Sequence, residues 1–550
     1  MYKILKTILA ISLFIACSTS VSRIDEGDGL EVFSADTLKK HISVLASDAF
    51  MGRKPFTEGE TKTVNYLVEQ FKLLGLEPGN GDSYIQSVPM ANILAIAAPS
   101  MQVKSSKGSF SLQAFKDYII WTDKTDSSFT LDNADLVFAG YGVVAPEYNW
   151  NDYAGLDVKG KVVMVMVNDP GFWIGDTSLF KGKAMTYYGR WTYKFEEAAR
   201  QGAKACLIIH NTAAASYPFS VQQNSFNTTR LKLDNRGKDI PNCDIIGWVP
   251  ENVANRLFLA AGFDSTLLVK ANQPAFKAVQ LNLQLSTSMQ VKSNFNQSSN
   301  VVAKITGSKR PDEVIIYTAH WDHLGIGRPN KDGDSIYNGA LDNASGTAGL
   351  LEMARAFKNM KTRPERTIVF LAVTAEEQGL LGSAYYAENP IFPIENTVAN
   401  INMDGLNRFG KTKDMVVVGQ GQSELEDYLE EAIKKKGGYL SFDQHTEAGY
   451  YYRSDHFNFA KKGIPALFAN SGKDYIGKDS GYGKALEQEY NDNHYHQPSD
   501  HFDASTWTGD GAINDLQSLF IIGRRMAFET SFPKWKDGSE FKLIREKKKP

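Results

Sequence analysis

From about residue 295 to 530 the chain alternates short apolar runs with helix-patterned stretches, and this alternation constrains the fold more than any other feature. Val314 to Thr318, Thr367 to Val373, Val398 to Met403, Met415 to Val418 and Ile464 to Phe468 are rich in Val, Ile and Leu; Thr347 to Phe357 and Leu425 to Lys435 carry helical spacing. Continuous apolar runs separated by helices predict an α/β layer with a mixed, mainly parallel central sheet flanked by helices. In such sheets the functional groups gather beyond the strands' carboxyl ends. At 550 residues, the chain is also long enough for more than one domain.

The residues after three of those runs bear this out as a pattern. Val314 to Thr318 leads into Ala319-His320-Trp321-Asp322-His323, Thr367 to Val373 into Thr374-Ala375-Glu376-Glu377, and Val398 to Met403 into Asp404-Gly405. Between the first two lies Leu341-Asp342-Asn343-Ala344-Ser345-Gly346, a loop opening into a helix. Seven of the nine histidines fall at or after position 320. Adjacent Glu376 and Glu377 are costly to bury unless a cation compensates them. No CxxC pair exists, so any metal must be held by His and carboxylates. The formal charge of −3, with 42% hydrophobic and 22% charged residues, is that of ordinary globular protein and makes no electrostatic case for nucleic acid.

Upstream, the N-terminus reads as an export signal over residues 1–17. Lys3 and Lys6 precede an apolar stretch, Ile8 to Ala16, too short to span a bilayer. Leu13-Phe14-Ile15-Ala16-Cys17 resembles a bacterial lipobox, which implies a lipid anchor on Cys17 and a cell-envelope protein of the periplasm or outer membrane. The basic tail Lys547, Lys548, Lys549 reads as a solvated end. Residues 33–125 form a first helical and entry region, with Val64, Leu67, Phe71 and Leu74 on one helical stripe ended by Gly75 and Pro78. From 126 to 280 short strands and glycine turns take over, and residues 281–535 make the domain with the ionisable strand ends. Cys206 and Cys243 could pair in an oxidising compartment or remain two buried thiols, and His210 at a strand end reads as structural.

The motifs AHWDHLG, ALDNASG, TAEEQGLLGS, NMDG and HYHQPSD, in this order between residues 319 and 500, resemble metallopeptidase family twenty-eight. That family includes bacterial leucyl-type aminopeptidases, glutamate carboxypeptidase and the zinc-free transferrin receptor. The region 126–280, with Gly140-Tyr141-Gly142, the turn around Val158-Lys159-Gly160-Lys161 and the strand Cys206 to His210, is similar to the protease-associated (PA) domain inserted in many secreted peptidases. Leu45 to Asp48, Gly52-Arg53 and Gly75 to Pro78 resemble the entry region of secreted zinc aminopeptidases.

The resemblance implies two zinc ions. Asp342 would bridge them, His320 and Asp404 would hold one, and Glu377 and His496 the other. Glu376 matches the general base, Asp322 a carboxylate that orients His320, and Tyr495 a tyrosine that hydrogen-bonds the oxyanion. The peptide after Asp342 would be cis. Arg453 and Asp455 match a substrate-side loop, with an internal Arg–Asp pair as the alternative. His323, His445 and His501 read as surface residues or as neighbours of the ligands, and His494 as a near miss beside His496.

The activity implied is that of a zinc exopeptidase acting on peptides, an aminopeptidase foremost. A carboxypeptidase or dipeptidase would share every ligand. A glutaminyl cyclase would resemble a single-zinc site, against which the presence of both His320 and Asp404 argues, and a receptor-like protein would lack ligands.

Overall fold

The computed structural model describes residues 27–225 and 228–546. The export signal, Cys17 and the three terminal lysines lie outside the described residues. No helix among the described residues is long and apolar enough to cross a membrane.

Seven strands build the main sheet: β1 (Val279–Ile305), β2 (Arg310–His320), β3 (Arg366–Val373), β4 (Thr397–Asn402), β5 (Asp414–Val417), β6 (Tyr439–Phe442) and β7 (Ala466–Ser471). They run in the order β1-β3-β2-β4-β7-β5-β6. The four central strands are parallel; the end of β1 is antiparallel to β3, and β5 is antiparallel to β7 but parallel to β6. Alternate residues of the central strands enter two different cores, which is why the runs read as continuously apolar. Ile315, Tyr317, Ile368 and Phe370 pack with helices α1 (Ala35–Leu45), α2 (Glu58–Leu73), α3 (Gly346–Lys358) and α4 (Asp510–Phe528). Val314, Ile316, Val369 and Leu371 pack on the opposite face with Tyr386, Phe457 and Phe459. The mixed, mainly parallel α/β layer expected from the sequence is therefore present.

Helix α2 buries Leu67 and Phe71 of the expected stripe, and the Thr57 side chain caps it by accepting from the Gly59 N–H. Val64 and Leu74 lie at the edge of the core rather than within it.

A second, β-rich body has its own cores. One joins Met101, Val103, Leu112, Tyr118 and Ile120 to Leu136, Val162, Leu207 and Val249; the other gathers Trp121, Val163, Val165, Cys206 and Trp248. The boundaries expected at 126 and 280 thus fall inside this body. The strands Ser100–Ser105 and Gly108–Gln113 belong to it, and β1 is one 27-residue strand that crosses from it into the main sheet. Inside it, Val162–Met166, Ala205–His210 and Ile245–Pro250 lie side by side in parallel. Cys206 and Cys243 are both free and buried. His210 is buried among Tyr217, Phe219 and Trp248, a packing position.

Candidate metal centre

The parallel strands bring their carboxyl ends to one edge, and the loops that follow hold the ionisable residues. His320 is the last residue of β2; Glu376 and Glu377 follow β3, and Asp404 follows β4. Asp342 lies in the turn that opens α3, and its peptide bond to Asn343 is cis. Gly339 permits that turn: its φ is 56°, and a Cβ there would lie 2.1 Å from the Asp342 carbonyl oxygen.

Asp342 stands between two histidines. Its Oδ1 lies 3.2 Å from His320 Nε2, and its Oδ2 lies 3.3 Å from His496 Nε2. Asp404 Oδ1 is 3.2 Å from His320 Nε2, and Glu377 Oε2 is 3.1 Å from His496 Nε2. One carboxylate therefore offers an oxygen to each of two His/carboxylate pairs.

Grouping by proximity alone gives two other triads, His320-Glu376-Asp404 and His323-Asp342-Glu377, each with ligand atoms within 4.8 Å of one another. His496 and His323 meet the second pair differently. His496 Nε2 reaches both Asp342 and Glu377, whereas His323 Nδ1 is engaged at 2.7 Å with the other Glu377 oxygen, Oε1. Glu376 has its backbone N–H fixed by Asp322 Oδ1 at 3.0 Å, and its carboxylate stands within 4.8 Å of the ligand atoms of His320 and Asp404.

The surrounding contacts aim these groups. His320 Nδ1 faces the Asp322 carbonyl at 3.2 Å and its carboxylate at 3.7 Å, and Thr347 Oγ1 donates to the His320 carbonyl. Ser454 donates to Asp404 Oδ2 at 2.5 Å and itself accepts from Asn402 Nδ2. Asp500 accepts the backbone N–H groups of Leu341 and Asp342. Arg53 is buried beneath, donating to the carbonyls of Leu45, Trp321, Asn338 and Gly339; burial lowers its affinity for its proton to about 10, and the carboxylates of Asp500, Asp322, Asp342 and Glu377 work against that fall.

The electrostatics fit a cation. Burial lowers the proton affinity of His320, yet Asp404 and Glu376 lift it well above the usual imidazole range. Burial raises Glu377, but His496 and His323 bring it down to about 2. Burial pushes Glu376 well above the usual carboxylate range, and Asp404, Glu377 and Asp455 add to that push against His320. Four carboxylates crowd two histidines whose Nε2 atoms face them, a donor set that added positive charge stabilises. Imidazole nitrogen with carboxylate oxygen is a zinc-type set.

The outlying expectations divide. Tyr495 is half-exposed with its ring stacked 3.9 Å from that of His496, at the mouth of a cleft of about 280 Å³ that begins at Asp342 and Asp404. Leu341, Leu406, Phe409 and Leu486 give the cleft an apolar wall. The substrate-side role expected for Asp455 is corrected: it is fully buried, hydrogen-bonded to Ser383 Oγ at 2.5 Å, and burial raises its carboxyl to about 7. The alternative Arg–Asp pair does not form either, because exposed Arg453 donates to the Ala448 carbonyl and lies over Tyr450. His494 turns to Glu489 and the Ser499 carbonyl, and His501 to Asp334; neither joins the cluster. His445 is exposed beside Glu447. His323, expected at the surface or beside the ligands, is buried against Glu377, and Ser454 is a contributor the sequence reading left unassigned.

Residues 300–521 match the model of Peptidase family M28. Over those residues the chain is similar to that family's domain. A "Probable zinc metalloprotease" of Pyrenophora tritici-repentis is 43% identical over 103 residues, 19% of this chain and 20% of that protein. Aminopeptidase NAALADL1 of Mus musculus is 40% identical over 112 residues, 20% of this chain and 13% of that protein. The matched stretch thus spans a fifth or less of the length of these curated relatives. Among solved structures, the aminopeptidase from Aneurinibacillus sp. strain AM-1 is similar at 20% identity, covering 91% of this chain and 96% of that chain with a TM-score of 0.49. The matched segment contains all five His/carboxylate residues of the cluster, Asp342 included, together with Glu376, Asp322, Tyr495 and Arg53's carbonyl partners at 321, 338 and 339.

Proposed function

We propose that the protein is a two-zinc aminopeptidase, releasing N-terminal residues from peptides. The observation that carries the reading is the position of Asp342, with one oxygen at 3.2 Å from His320 and the other at 3.3 Å from His496. On this reading His320 and Asp404 would hold one zinc, Glu377 and His496 the other, with Asp342 available to both. Bound there, the ions would supply Lewis-acid charge at the scissile carbonyl and at the attacking water.

The chain's own residues do the rest. Glu376, held by its N–H on Asp322, takes the water's proton and delivers it to the leaving amine. Asp322 keeps His320 turned, His323 holds Glu377, and Ser454 holds Asp404. The Tyr495 hydroxyl, stacked beside His496 at the cleft, donates to the developing oxyanion. The apolar cleft beside Asp404 takes the side chain of the N-terminal residue.

The β-rich body is proposed to be a protease-associated domain, a reading supported by the order of its glycine turns and strands in the sequence. The lipobox-like stretch ending at Cys17 supports a lipid-anchored protein of the cell envelope.

Glu376→Gln tests the role of the base. Peptide hydrolysis should fall about 10²–10⁴-fold with zinc content unchanged; turnover near that of the wild type would sink the assignment.

A further inference from the structure

Glu540 lies on the C-terminal segment with its side chain only 5% exposed, and donors from two other segments converge on its carboxylate. From the β-rich body, Lys181 Nζ reaches Oε2 at 3.0 Å and the Tyr187 N–H reaches Oε1 at 3.3 Å. The third donor is the hydroxyl of buried Tyr452, 2.6 Å from Oε1, with the Met185 carbonyl 3.2 Å away. Burial works to raise the Glu540 carboxyl, but Lys181 and Tyr452 bring it below the usual carboxylate range. Rings close around this joint: Tyr187 packs on Tyr452 and Phe457, and Phe541 on Tyr451 and Phe457. The Met185 N–H also donates to the Thr446 carbonyl at 3.0 Å.

A buried carboxylate is costly unless its partners are in place, so the joint is satisfied only when the β-rich body, the C-terminal segment and the loop carrying Tyr452 are seated together. Tyr452 ends the turn Tyr450–Tyr452, and Ser454 stands two residues on. The Ser454 hydroxyl accepts from Asn402 Nδ2 at 2.7 Å, which directs its one proton to Asp404 Oδ2 at 2.5 Å. Asn402 thus fixes that hydroxyl from the strand side, and the Tyr452 joint fixes its backbone from the other. Two residues of chain span at most about 7 Å, so a displacement of Tyr452 is passed to Ser454.

We propose that Glu540 and Tyr452 are positioning residues for the metal centre, holding the backbone of Ser454 so that its hydroxyl aims Asp404. Through Lys181 and Tyr187 the same joint makes that aim depend on the seating of the β-rich body, which then serves the metal centre although it supplies no ligand. This rests on the zinc reading above.

The test is zinc affinity of the full chain, measured in competition with a chelator of known affinity. Tyr452→Phe, which removes one buried oxygen and keeps the ring, should weaken binding about tenfold, and Ser454→Ala by at least as much. Because Tyr452 acts through Ser454, adding Tyr452→Phe to Ser454→Ala should cost no further affinity. Glu540→Gln keeps a carbonyl oxygen for the Tyr452 hydroxyl and should stay within about threefold of the wild type, whereas Glu540→Leu should match Tyr452→Phe. Lys461→Met supplies the contrast. It breaks another contact between the two bodies, the 3.0 Å pair of Lys461 with Glu196, and should lower the denaturant midpoint while leaving zinc affinity unchanged. Unchanged affinity in Tyr452→Phe, additive losses in the double variant, or an equal loss in Lys461→Met would overturn the positioning role and leave the zinc reading standing. A wild type that binds no zinc would overturn the zinc reading, and the positioning role with it.

Discussion

Asp152 and Asp169 in the β-rich body are as deeply buried as the carboxylates at the strand ends of the main sheet, but they are satisfied differently. Asp152 accepts the N–H groups of Tyr141 and Val143, and Asp169 those of Gly171 and Thr186 together with the Thr186 hydroxyl. The buried ammonium of Lys194 offsets both charges. At the strand ends, Asp342 faces only histidine nitrogens, and Glu377 faces His323 and His496. A buried acid supplied with backbone donors is structural. A group of acids sharing a few imidazoles holds those imidazoles charged and favours added positive charge such as a bound cation.

The largest expected break in this comparison comes from His323→Phe. It leaves the five proposed ligands in place but frees Glu377 Oε1 from its 2.7 Å contact. Zinc affinity should drop about 10–100-fold in competition with a chelator of known affinity; an unchanged affinity would make His323 a packing residue.

Asp152→Asn sharpens the other half. Burial, resisted by the Val143 N–H, raises the Asp152 carboxyl from 3.8 to about 6. A raised carboxylate contributes stability that is fully present below pH 3.8 and lost as pH rises through about 6. Denaturant midpoints of Asp152→Asn should therefore lose less between pH 4 and 7 than those of the wild type, by at most about 3 kcal/mol. Zinc affinity should stay within about twofold, since Asp152 has no part in the charge balance of the strand ends; parallel pH profiles would show that its burial costs nothing.

Much of this was legible because the physics is local. An apolar strand buried on both faces must be continuous in sequence, so the runs leading to His320, Glu376 and Asp404 announce themselves, and an ionisable group at the end of such a strand stands out. Helix Leu425–Lys435 matches its periodic stretch end for end. The edge of the β-rich body was not legible, because β1 alternates without interruption while its neighbours change from one body to the other. The contacts of Arg53 and Ser454 were not legible for a related reason. The carbonyls of Trp321, Asn338 and Gly339 that receive Arg53 are some 270 to 290 positions away, and nothing in the local sequence signals such contacts. Asp455 was misassigned because a loop acid reads alike whether it points outward or, as here, toward Ser383.

Zinc stoichiometry measured alongside activity tests the central claim most directly. Metal-free protein titrated with zinc should take up two ions per chain, with peptide hydrolysis appearing as the sites fill, and Asp342→Ala should lose tight binding of both. Full activity at one ion per chain, or two ions retained in Asp342→Ala, would contradict the bridged centre.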